Sequence, residues 1–301
     1  MAVRKLIELF ELLKDKSLKT MVVVCANDEH TVSAVSEAVG QNLVKAVLIG
    51  DRSLIGLVCL KSGIDINQFT IIHQPVDDLA ARLAVDMINR GEGDILMKGL
   101  INTDKFMRAV LNKESGLTDP GKVVSHVTLV ENENYHKLLV VGDVAVIPLP
   151  DLNQKTQIIK YMVNVAKRLG IDLPKIAVIA PSEQVLPSIV STTDAALLSK
   201  MNDRGQITGC IVDGPLALDV AIDSESAAIK GLESEVAGDA DCLLFPNLES
   251  GNVFYKVNTK LAKSESAAIM VGARVPVVLA SRGDSTRVKL RSIALAVLMT
   301  N

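Results

Sequence analysis

Short apolar runs alternate with longer amphipathic segments along the whole chain of 301 residues, and this alternation constrains the fold more than any other feature. Runs rich in Val, Ile and Leu are typical of strands that are buried on both faces of a sheet. Amphipathic segments of helical period are typical of the helices that cover those faces. Strand, helix and strand repeated in this order predict an α/β fold with a mostly parallel sheet.

The predicted elements alternate in the same way. The predicted strands span residues 20–26, 45–49, 70–72, 95–97, 123–129, 137–141, 175–180, 209–212, 242–245 and 275–280. The predicted helices span residues 30–40, 77–90, 104–111, 154–169, 193–201, 224–232, 255–263 and 287–299, after an amphipathic first helix within residues 1–20. Only a short polar segment separates the strands at 123–129 and 137–141, so these two are expected to pair antiparallel as a hairpin.

Composition narrows the class of protein. Hydrophobic residues make up 49% of the chain, aromatic residues make up only 3%, and Trp is absent, so the core must consist of aliphatic side chains, as in layered α/β proteins. A chain of 301 residues has room for two domains of ordinary size. The formal net charge is −3, and no run of basic residues is interleaved with aromatic ones, which argues against a nucleic-acid partner.

The four cysteines and the four histidines occur singly. Because neither the C-x-x-C nor the H-x-x-x-H spacing is present, we expect buried thiols in a reducing cytoplasm and no metal site. His126 is expected to be a core histidine, with a position lining the functional site as the weaker alternative. No uncharged apolar stretch reaches the roughly 18 residues of a membrane span, so no membrane association is expected.

Glycine and polar residues follow several predicted strands. The last predicted strand leads into Ser281, Arg282, Gly283 and Asp284 and then into a helix. Small residues allow a close approach of the backbone to a ligand, the free N–H groups at a helix start favour an anion, and a guanidinium group suits phosphate. The same layout follows other predicted strands, at residues 98–104, 213–216 and 246–252. Ordinary turn chemistry explains any one of these, but their convergence predicts a site for a phosphate-bearing small molecule.

Over nearly its whole length the chain resembles the phosphate acetyltransferase and phosphate butyryltransferase family. The resemblance rests on residues at or near the ends of predicted strands: Lys98-Gly99, Asn102-Thr103-Asp104 with Arg108, Asp213-Gly214-Pro215-Leu216, Phe245-Pro246-Asn247-Leu248, Gly251-Asn252, Tyr255-Lys256 and Ser281-Arg282. The compact N-terminal half and the Met97-Lys98-Gly99 form of the first motif are more similar to the butyryltransferase branch.

The resemblance implies two three-layer α/β/α domains with mostly parallel sheets and an active site in the cleft between them. We place the first domain at residues 1–137 with 288–301 and the second at 138–287. The resemblance also implies a homodimer or larger homo-oligomer, acyl-CoA and inorganic phosphate as partners, and no permanently bound cofactor, because coenzyme A is a substrate. The implied reaction converts a butyryl or branched short-chain acyl-CoA and phosphate into acyl phosphate and CoA, by direct attack in a ternary complex.

By the same resemblance, Ser281 and Arg282 act at the reacting centre, and Arg108 contacts phosphate or CoA. The expected phosphate-binding and CoA-binding residues are Lys98, Gly99, Asn102, Thr103, Arg108, Asp213, Gly214, Asn252, Lys256 and Gly283. No metal ligand is expected among the site residues.

One position departs from the pattern of the family. The acetyltransferases place an aspartate, which is given the role of base for the CoA thiol, seven residues after the motif serine, where this chain has Val288 between Arg287 and Lys289. The nearest carboxylate is that of Asp284, which either serves as the base or caps the following helix. The sequence therefore leaves the identity of the base open.

Three other functions stay open at this point: a phosphate acetyltransferase, a non-catalytic relative that binds CoA or acyl phosphate, and a decarboxylating dehydrogenase of similar fold. A dehydrogenase would need a G-x-G-x-x-G loop after a strand and clustered metal-binding acids, and the sequence shows neither.

Overall fold

The computed structural model describes residues 2–279 and 283–300. Its strands are β1 (Lys19–Val24), β2 (Val44–Gly50), β3 (Thr70–His73), β4 (Ile95–Lys98), β5 (Ser125–Glu131), β6 (Leu139–Gly142), β7 (Lys175–Ile179), β8 (Ile211–Leu216), β9 (Cys242–Leu244), β10 (Glu265–Val271) and β11 (Val277–Val278). Its α-helices are α1 (Glu29–Gly40), α2 (Arg52–Ser62), α3 (Asp77–Asn89), α4 (Thr103–Val110), α5 (Leu152–Arg168), α6 (Val190–Asp203), α7 (Leu218–Ile222), α8 (Ser224–Ile229), α9 (Leu248–Lys256) and α10 (Thr286–Met299).

Contacts divide the described chain into two compact units. The first unit consists of Met1–Leu6 with Ser125–Ser266, and the second of Ile7–Val124 with Ala267–Asn301. These boundaries differ from the expected ones. The expected boundary at 137/138 falls within the β5–β6 hairpin, whose strands pair from Val127–Val130 to Leu139–Gly142, and the boundary at 287/288 falls inside the continuous helix α10. The expected cleft between two domains stays a prediction.

In the second unit the strand order is β3-β2-β1-β4-β11-β10. Neighbouring strands pair parallel from β3 to β11, and β10 pairs antiparallel with β11. Residues Met21 to Val24 of the central strand β1 are completely buried, as expected for a strand covered on both faces. Helix α1 packs against α10, and α3 packs against α4.

In the first unit the strand order is β5-β6-β9-β7-β8. Strands β5 and β6 form the expected antiparallel hairpin, and β6, β9, β7 and β8 run parallel. Its core is aliphatic apart from Phe245, and includes Val141, Ala177, Leu216 and Leu243. The α/β fold with mostly parallel strands that the sequence predicts is confirmed.

Two predictions of local structure are wrong. Two short 3-10 helices, Leu6–Leu9 and Glu11–Leu13, replace the expected first helix, and tertiary partners accept hydrogen bonds from backbone N–H groups at the start of this segment. The N–H of Val3 donates to the carbonyl of Leu169, and the N–H of Leu6 donates to the carboxylate of Glu131. Strand β10 and helix α2 were not expected.

The second wrong prediction is the helix at 255–263. Helix α9 begins at Leu248 and is followed by a π-helical turn at Val257–Leu261, since Asn247 caps α9 by accepting a hydrogen bond from Ser250 N at 2.9 Å. No helix among the described residues is long and apolar enough to cross a membrane.

Gly99 allows two chain segments of the second unit to approach each other closely. A Cβ atom at Gly99 would lie 2.6 Å from the carbonyl oxygen of Val24 at the end of β1. We expect Gly99→Ala to lower the free energy of unfolding by about 1–3 kcal/mol, because the backbone must shift to admit the methyl group. Urea unfolding followed by circular dichroism measures this change.

Gly40→Ala is the matched control, since a Cβ atom at Gly40, the last residue of α1, meets nothing within 4 Å. This substitution should raise the free energy of unfolding by about 0.4–1 kcal/mol, because alanine restricts the unfolded chain. If Gly99→Ala unfolded at the same urea concentration as the wild type, the close approach would play no part in stability.

Candidate functional site

The carboxyl ends of three parallel strands lie side by side in the second unit. Strand β4 pairs with β1 on one side and with β11 on the other. Because parallel strands end at the same edge, the segments that follow these three strands meet there, and they lead into α1, α4 and α10. Three helix starts therefore lie at one edge, and the positive ends of their dipoles favour anionic ligands.

Lys98 is the last residue of β4, and only 2% of its surface is exposed. Its Nζ donates to the carbonyl of Gly99 at 3.2 Å. The backbone N–H groups of Gly99 and Leu100 donate to the carbonyls of Val24 and Cys25, at 2.8 and 2.7 Å. Lys98 and Gly99 are thus held rigidly at the strand end, as the sequence suggested, and the close approach that glycine permits is to the backbone of β1.

Cys25 follows β1 in a left-handed conformation with φ 53°. Its thiol lies 3.7 Å from a carboxylate oxygen of Asp77. Burial, and then the negative charge of Asp77, raise the pKa of the Cys25 thiol to about 12. All four cysteines are buried and unpaired. A thiol with so high a pKa is a poor nucleophile near neutrality, which agrees with the expectation of inert core thiols.

Asn102 begins the helix that carries Arg108. Its side-chain oxygen accepts a hydrogen bond from Asp104 N at 2.8 Å and caps α4. The helix was expected to begin at residue 104, so α4 begins one residue earlier than expected. Asn102 and Thr103 are both exposed at this edge, which leaves the Thr103 hydroxyl open to a ligand.

A groove of about 680 Å³ lies between α3 and α4, and Arg108 lines it. Arg82 and Lys105 line it as well. Lys105 is held by Asp77 and Asp78, at 3.2 and 3.7 Å. Among the described residues, neither Arg82 nor Arg108 has a carboxylate within 4 Å, although acidic residues also line the groove. Two guanidinium groups without an ion partner make this groove suitable for an anionic group.

Helix α10 begins beside α1. The side-chain hydroxyl of Ser285 caps α10 by accepting from Val288 N at 3.3 Å, so the interpretation of Asp284 as the cap is wrong. Asp284 immediately precedes this cap and is half-buried. The His30 ring lies 3.3 Å from the hydroxyl of Thr286, which brings the first turns of α1 and α10 together. The expected reacting residues Ser281 and Arg282 lie outside the described residues, and Gly283 is exposed.

Lys289 is a second buried lysine at this edge, with 2% of its surface exposed. Burial lowers the pKa of Lys289, while the negative charges of Asp28 and Asp284 raise it. Asp28 is itself fixed, because it caps α1 by accepting from Thr31 N at 2.9 Å. Sequence reasoning gave Lys289 and Asp28 no role, because Lys289 lies between Arg287 and Arg291 in the first turns of α10 and nothing in this local pattern marks it as buried.

In the first unit, the carboxylate of Asp143 organises the carboxyl end of β6. Only 3% of Asp143 is exposed, and a cis peptide bond joins it to Gly142. Its oxygens accept from the Ser125 hydroxyl at 2.8 Å and from the backbone N–H groups of residues 126, 145, 146 and 147. Sequence reasoning missed this residue, although Gly-Asp after a predicted strand repeats the layout found at the other strand ends.

Helix α9 packs against the same turn. A Cβ atom at Gly251 would clash with the carbonyl of Asp143, and Asn252 Nδ2 donates to the carbonyl of Val144 at 3.0 Å. Gly251 and Asn252 therefore lie inside a helix and not in the expected loop. Lys256 is exposed at the end of α9, with its Nζ 5.2 Å from the centre of the Tyr255 ring.

Asp213 and Gly214 lie within β8, because this strand continues to Leu216, beyond its expected end. The carboxylate of Asp213 accepts a short hydrogen bond from the Ser234 hydroxyl and another from Gly214 N at 2.7 Å. A groove of about 490 Å³ beside Asp213 is also lined by Asp203, Glu233 and Glu235. These carboxylates make the surroundings of Asp213 unsuitable for phosphate.

His126 lies in β5 with 5% of its surface exposed, and its Nδ1 is 3.1 Å from the hydroxyl of Thr128. This agrees with the expectation of a core histidine.

The sequence and the fold of this chain match known proteins of one family. Residues 69–297 match the family model described as "Phosphate acetyl/butaryl transferase". The chain is 47% identical to the phosphate butyryltransferase of Clostridium acetobutylicum over 97% of each chain. It is 40% identical to the phosphate acetyltransferase of Thermotoga maritima over 96% of this chain and 97% of that one. The crystal structure of a branched-chain phosphotransacylase from Enterococcus faecalis V583 matches with a TM-score of 0.82 and 27% identity, over 94% of this chain and 100% of that chain.

The hydrogen bonds of Asp143 lead to a prediction about stability. Asp143→Asn should lower the free energy of unfolding by about 1–3 kcal/mol, because an amide NH₂ cannot accept the hydrogen bonds that one carboxylate oxygen now accepts. Urea unfolding of the purified variant measures the loss. Asp151→Asn is the control: Asp151 accepts from Gln154 N at 2.8 Å at the start of α5, and asparagine caps a helix equally well. Equal stability of the Asp143→Asn variant and the control would contradict the role given to Asp143.

Proposed function

The chain belongs to the phosphate acetyl/butaryl transferase family and is a phosphate acyltransferase, and we propose that its acyl substrate is a butyryl or branched short-chain group. The acyl group passes between coenzyme A and phosphate, so that acyl-CoA and phosphate give acyl phosphate and CoA. Identity is higher to the butyryltransferase of C. acetobutylicum, at 47%, than to the acetyltransferase of T. maritima, at 40%, which supports a four-carbon substrate. Acetyl-CoA is the alternative substrate.

One observation carries the site proposal: three helix starts lie at the carboxyl edge of β1, β4 and β11, where the buried Lys98 ends β4. Phosphate near neutrality is already an anionic nucleophile, so the protein mainly needs to position it and to stabilise charge. Backbone N–H groups and the buried ammonium group supply this without reorganisation. We place phosphate beside Lys98, Gly99, Asn102 and Thr103, with Gly283 at the start of α10.

Ser281 and Arg282 immediately precede the turn that leads into α10, and we propose that they act on the reacting phosphate and thioester. A guanidinium group binds the phosphate through paired hydrogen bonds, and a hydroxyl donates to the carbonyl oxygen as it becomes negative. The phosphate attacks the thioester directly in a ternary complex. The high pKa of Cys25 supports this proposal, because it argues against that thiol as an acyl carrier.

Arg108 and Arg82 offer two guanidinium groups to a phosphate group in the groove between α3 and α4, although three acidic residues line this groove as well. We propose that Arg108 binds CoA there. In the first unit, we propose that Asn252 and Lys256, which both lie on α9, contact the substrate. We propose that Asp213 and Gly214 have a structural role at the end of β8, because the Asp213 carboxylate already accepts a hydrogen bond from the Ser234 hydroxyl.

Further properties follow as proposals. The four buried, unpaired cysteines support a reducing cytoplasm as the place of action. We propose a homodimer or larger homo-oligomer, which light scattering on the purified chain measures directly. Coenzyme A is a substrate in this proposal, with no permanently bound cofactor, so turnover should need only acyl-CoA and phosphate.

The function is tested by phosphate-dependent release of free thiol from acetyl-CoA, butyryl-CoA and isobutyryl-CoA. We expect kcat/KM for the four-carbon substrates to exceed that for acetyl-CoA by about 10-fold or more, since each methylene in a fitting pocket contributes about 1–3 kcal/mol. A preference for acetyl-CoA would identify an acetyltransferase instead. CoA binding without thiol release from any substrate would support a non-catalytic relative.

Arg108→Ala tests the groove. We expect KM for acyl-CoA to rise about 10- to 100-fold with a smaller change in kcat, because charge-assisted hydrogen bonds to phosphate are lost on binding. Arg204→Ala, an exposed arginine at the end of α6, is the matched control and should leave both constants unchanged. An unchanged KM in the Arg108→Ala variant would remove this groove from the CoA site.

A further inference from the structure

Residues 99–104 join β4 to α4 and include groups that we place beside phosphate. This segment is fixed at its beginning, because Leu100 N donates to the carbonyl of Cys25 at 2.7 Å. At its end it leads into Lys105, in the first turn of α4. The exposed residue Thr103 lies between these two points. The position of its hydroxyl, and of a phosphate beside it, therefore depends on what holds Lys105.

The carboxylate of Asp77 holds Lys105. Asp77 is the first residue of α3, which begins at the same carboxyl edge because β3 runs parallel to β2 and β1. Its Oδ2 accepts from Lys105 Nζ at 3.2 Å, and its Oδ1 accepts from the Cys25 thiol at 3.7 Å. Burial raises the pKa of this thiol to about 12, so the thiol stays protonated near neutrality and remains a donor. One carboxylate thus joins the end of β1 to the first turn of α4.

Cys25 has an unfavourable backbone conformation at this junction. Its φ of 53° lies in the left-handed region, which in the described part of the chain only two other non-glycine residues adopt, Asn42 and Lys263. Such a conformation persists where the surrounding contacts determine it, and it occurs often at ligand sites. Here one residue serves both ends of the segment, since the carbonyl of Cys25 accepts from Leu100 N and its thiol donates to Asp77.

Resting on the proposed function, we propose that Asp77 is a positioning residue for phosphate, which clamps residues 99–104 between β1 and α4 through its contacts with Cys25 and Lys105. The backbone of Cys25 holds the beginning of the segment, and the carboxylate that the Cys25 thiol contacts holds the end. The ion pair of Asp77 with Lys105 is partly exposed, with 38% and 40% of the two side chains accessible to water. Such a pair adds little to stability, so its value lies in fixing the geometry of the segment.

The test compares Asp77→Asn with Lys105→Met, because these substitutions change the charge at the edge in opposite directions. Positioning predicts that both raise KM for phosphate, by about 10- to 100-fold, since a displacement of about 1 Å can cost about 100-fold. KM for acyl-CoA should change far less. Rates of phosphate-dependent thiol release, with the acyl-CoA that the wild type uses fastest, measure both constants. A loss confined to kcat would indicate a merely structural role and would overturn the proposal.

The double variant Asp77→Asn with Lys105→Met separates positioning from simple attraction of an anion. It restores the balance of charge but not the clamp, so its KM for phosphate should be as high as that of the single variants and the effects should not add. If attraction alone mattered, Asp77→Asn would lower KM for phosphate, and the double variant would return to the wild-type value. Either of these results would overturn the proposal.

Glu92→Gln is the matched control, because Glu92 forms a similarly exposed ion pair with Arg90 at 2.7 Å in the same unit. Both KM values should stay at those of the wild type. Cys25→Ala keeps the proposal testable if Asp77→Asn does not fold. Loss of the weak thiol donor should raise KM for phosphate by about 2- to 5-fold, and Cys25→Ser, which keeps a donor, should lose less. An unchanged KM for phosphate in a folded Cys25→Ala variant would contradict the clamp.

The proposed function and the clamp fail in different ways. Absence of phosphate-dependent thiol release from every acyl-CoA in the wild type would reject the proposed function. An active wild type whose Asp77→Asn and Lys105→Met variants keep its KM for phosphate would reject the role of Asp77 alone.

Discussion

The parallel pairing of β1, β4 and β11 is the constraint on which the candidate site depends. These strands come from the beginning, the first third and the end of the chain, and pairing aligns Val23 with Met97 and Met97 with Val278. Because parallel strands end at one edge, α1, α4 and α10 all begin there. A ligand at this edge lies near the positive ends of three helix dipoles at once.

The charges at this edge fall into two groups. The buried Lys289 has Asp28 and Asp284 as opposing charges, and Lys105 is held by Asp77 and Asp78. The two carboxylates oppose the cost of burying the Lys289 ammonium group, whereas Lys105 is fixed by its ion pairs and stays partly exposed to water. The guanidinium groups of Arg82 and Arg108 lie in an open groove without an ion partner among residues 2–279 and 283–300. Fixed charge suits the stabilisation of a reacting group, and unpaired charge suits the capture of a ligand.

A carboxylate plays the organising part in the first unit. Asp143 gathers hydrogen bonds from the start of β5 and from the turn after β6, and Gly251 lets α9 approach the same turn. Gly99 has the corresponding effect in the second unit, where the turn after β4 approaches the end of β1. In both units a glycine allows backbone segments to pack closely at a strand end, so the polar side chains next to it are held in place.

The sequence by itself determined the α/β class, the order of most elements, the β5–β6 hairpin and the family, because apolar periodicity and short motifs are local properties of the chain. It indicated Lys98, Gly99 and Asn102 at a strand end for the same reason. Only the tertiary structure decided that Ser285, and not Asp284, caps α10, that Asp213 lies within a strand beside other acids, and that Lys289 is buried. Burial and the approach of distant charges depend on how strands pair and helices pack, and neither leaves a regular pattern in the neighbouring residues.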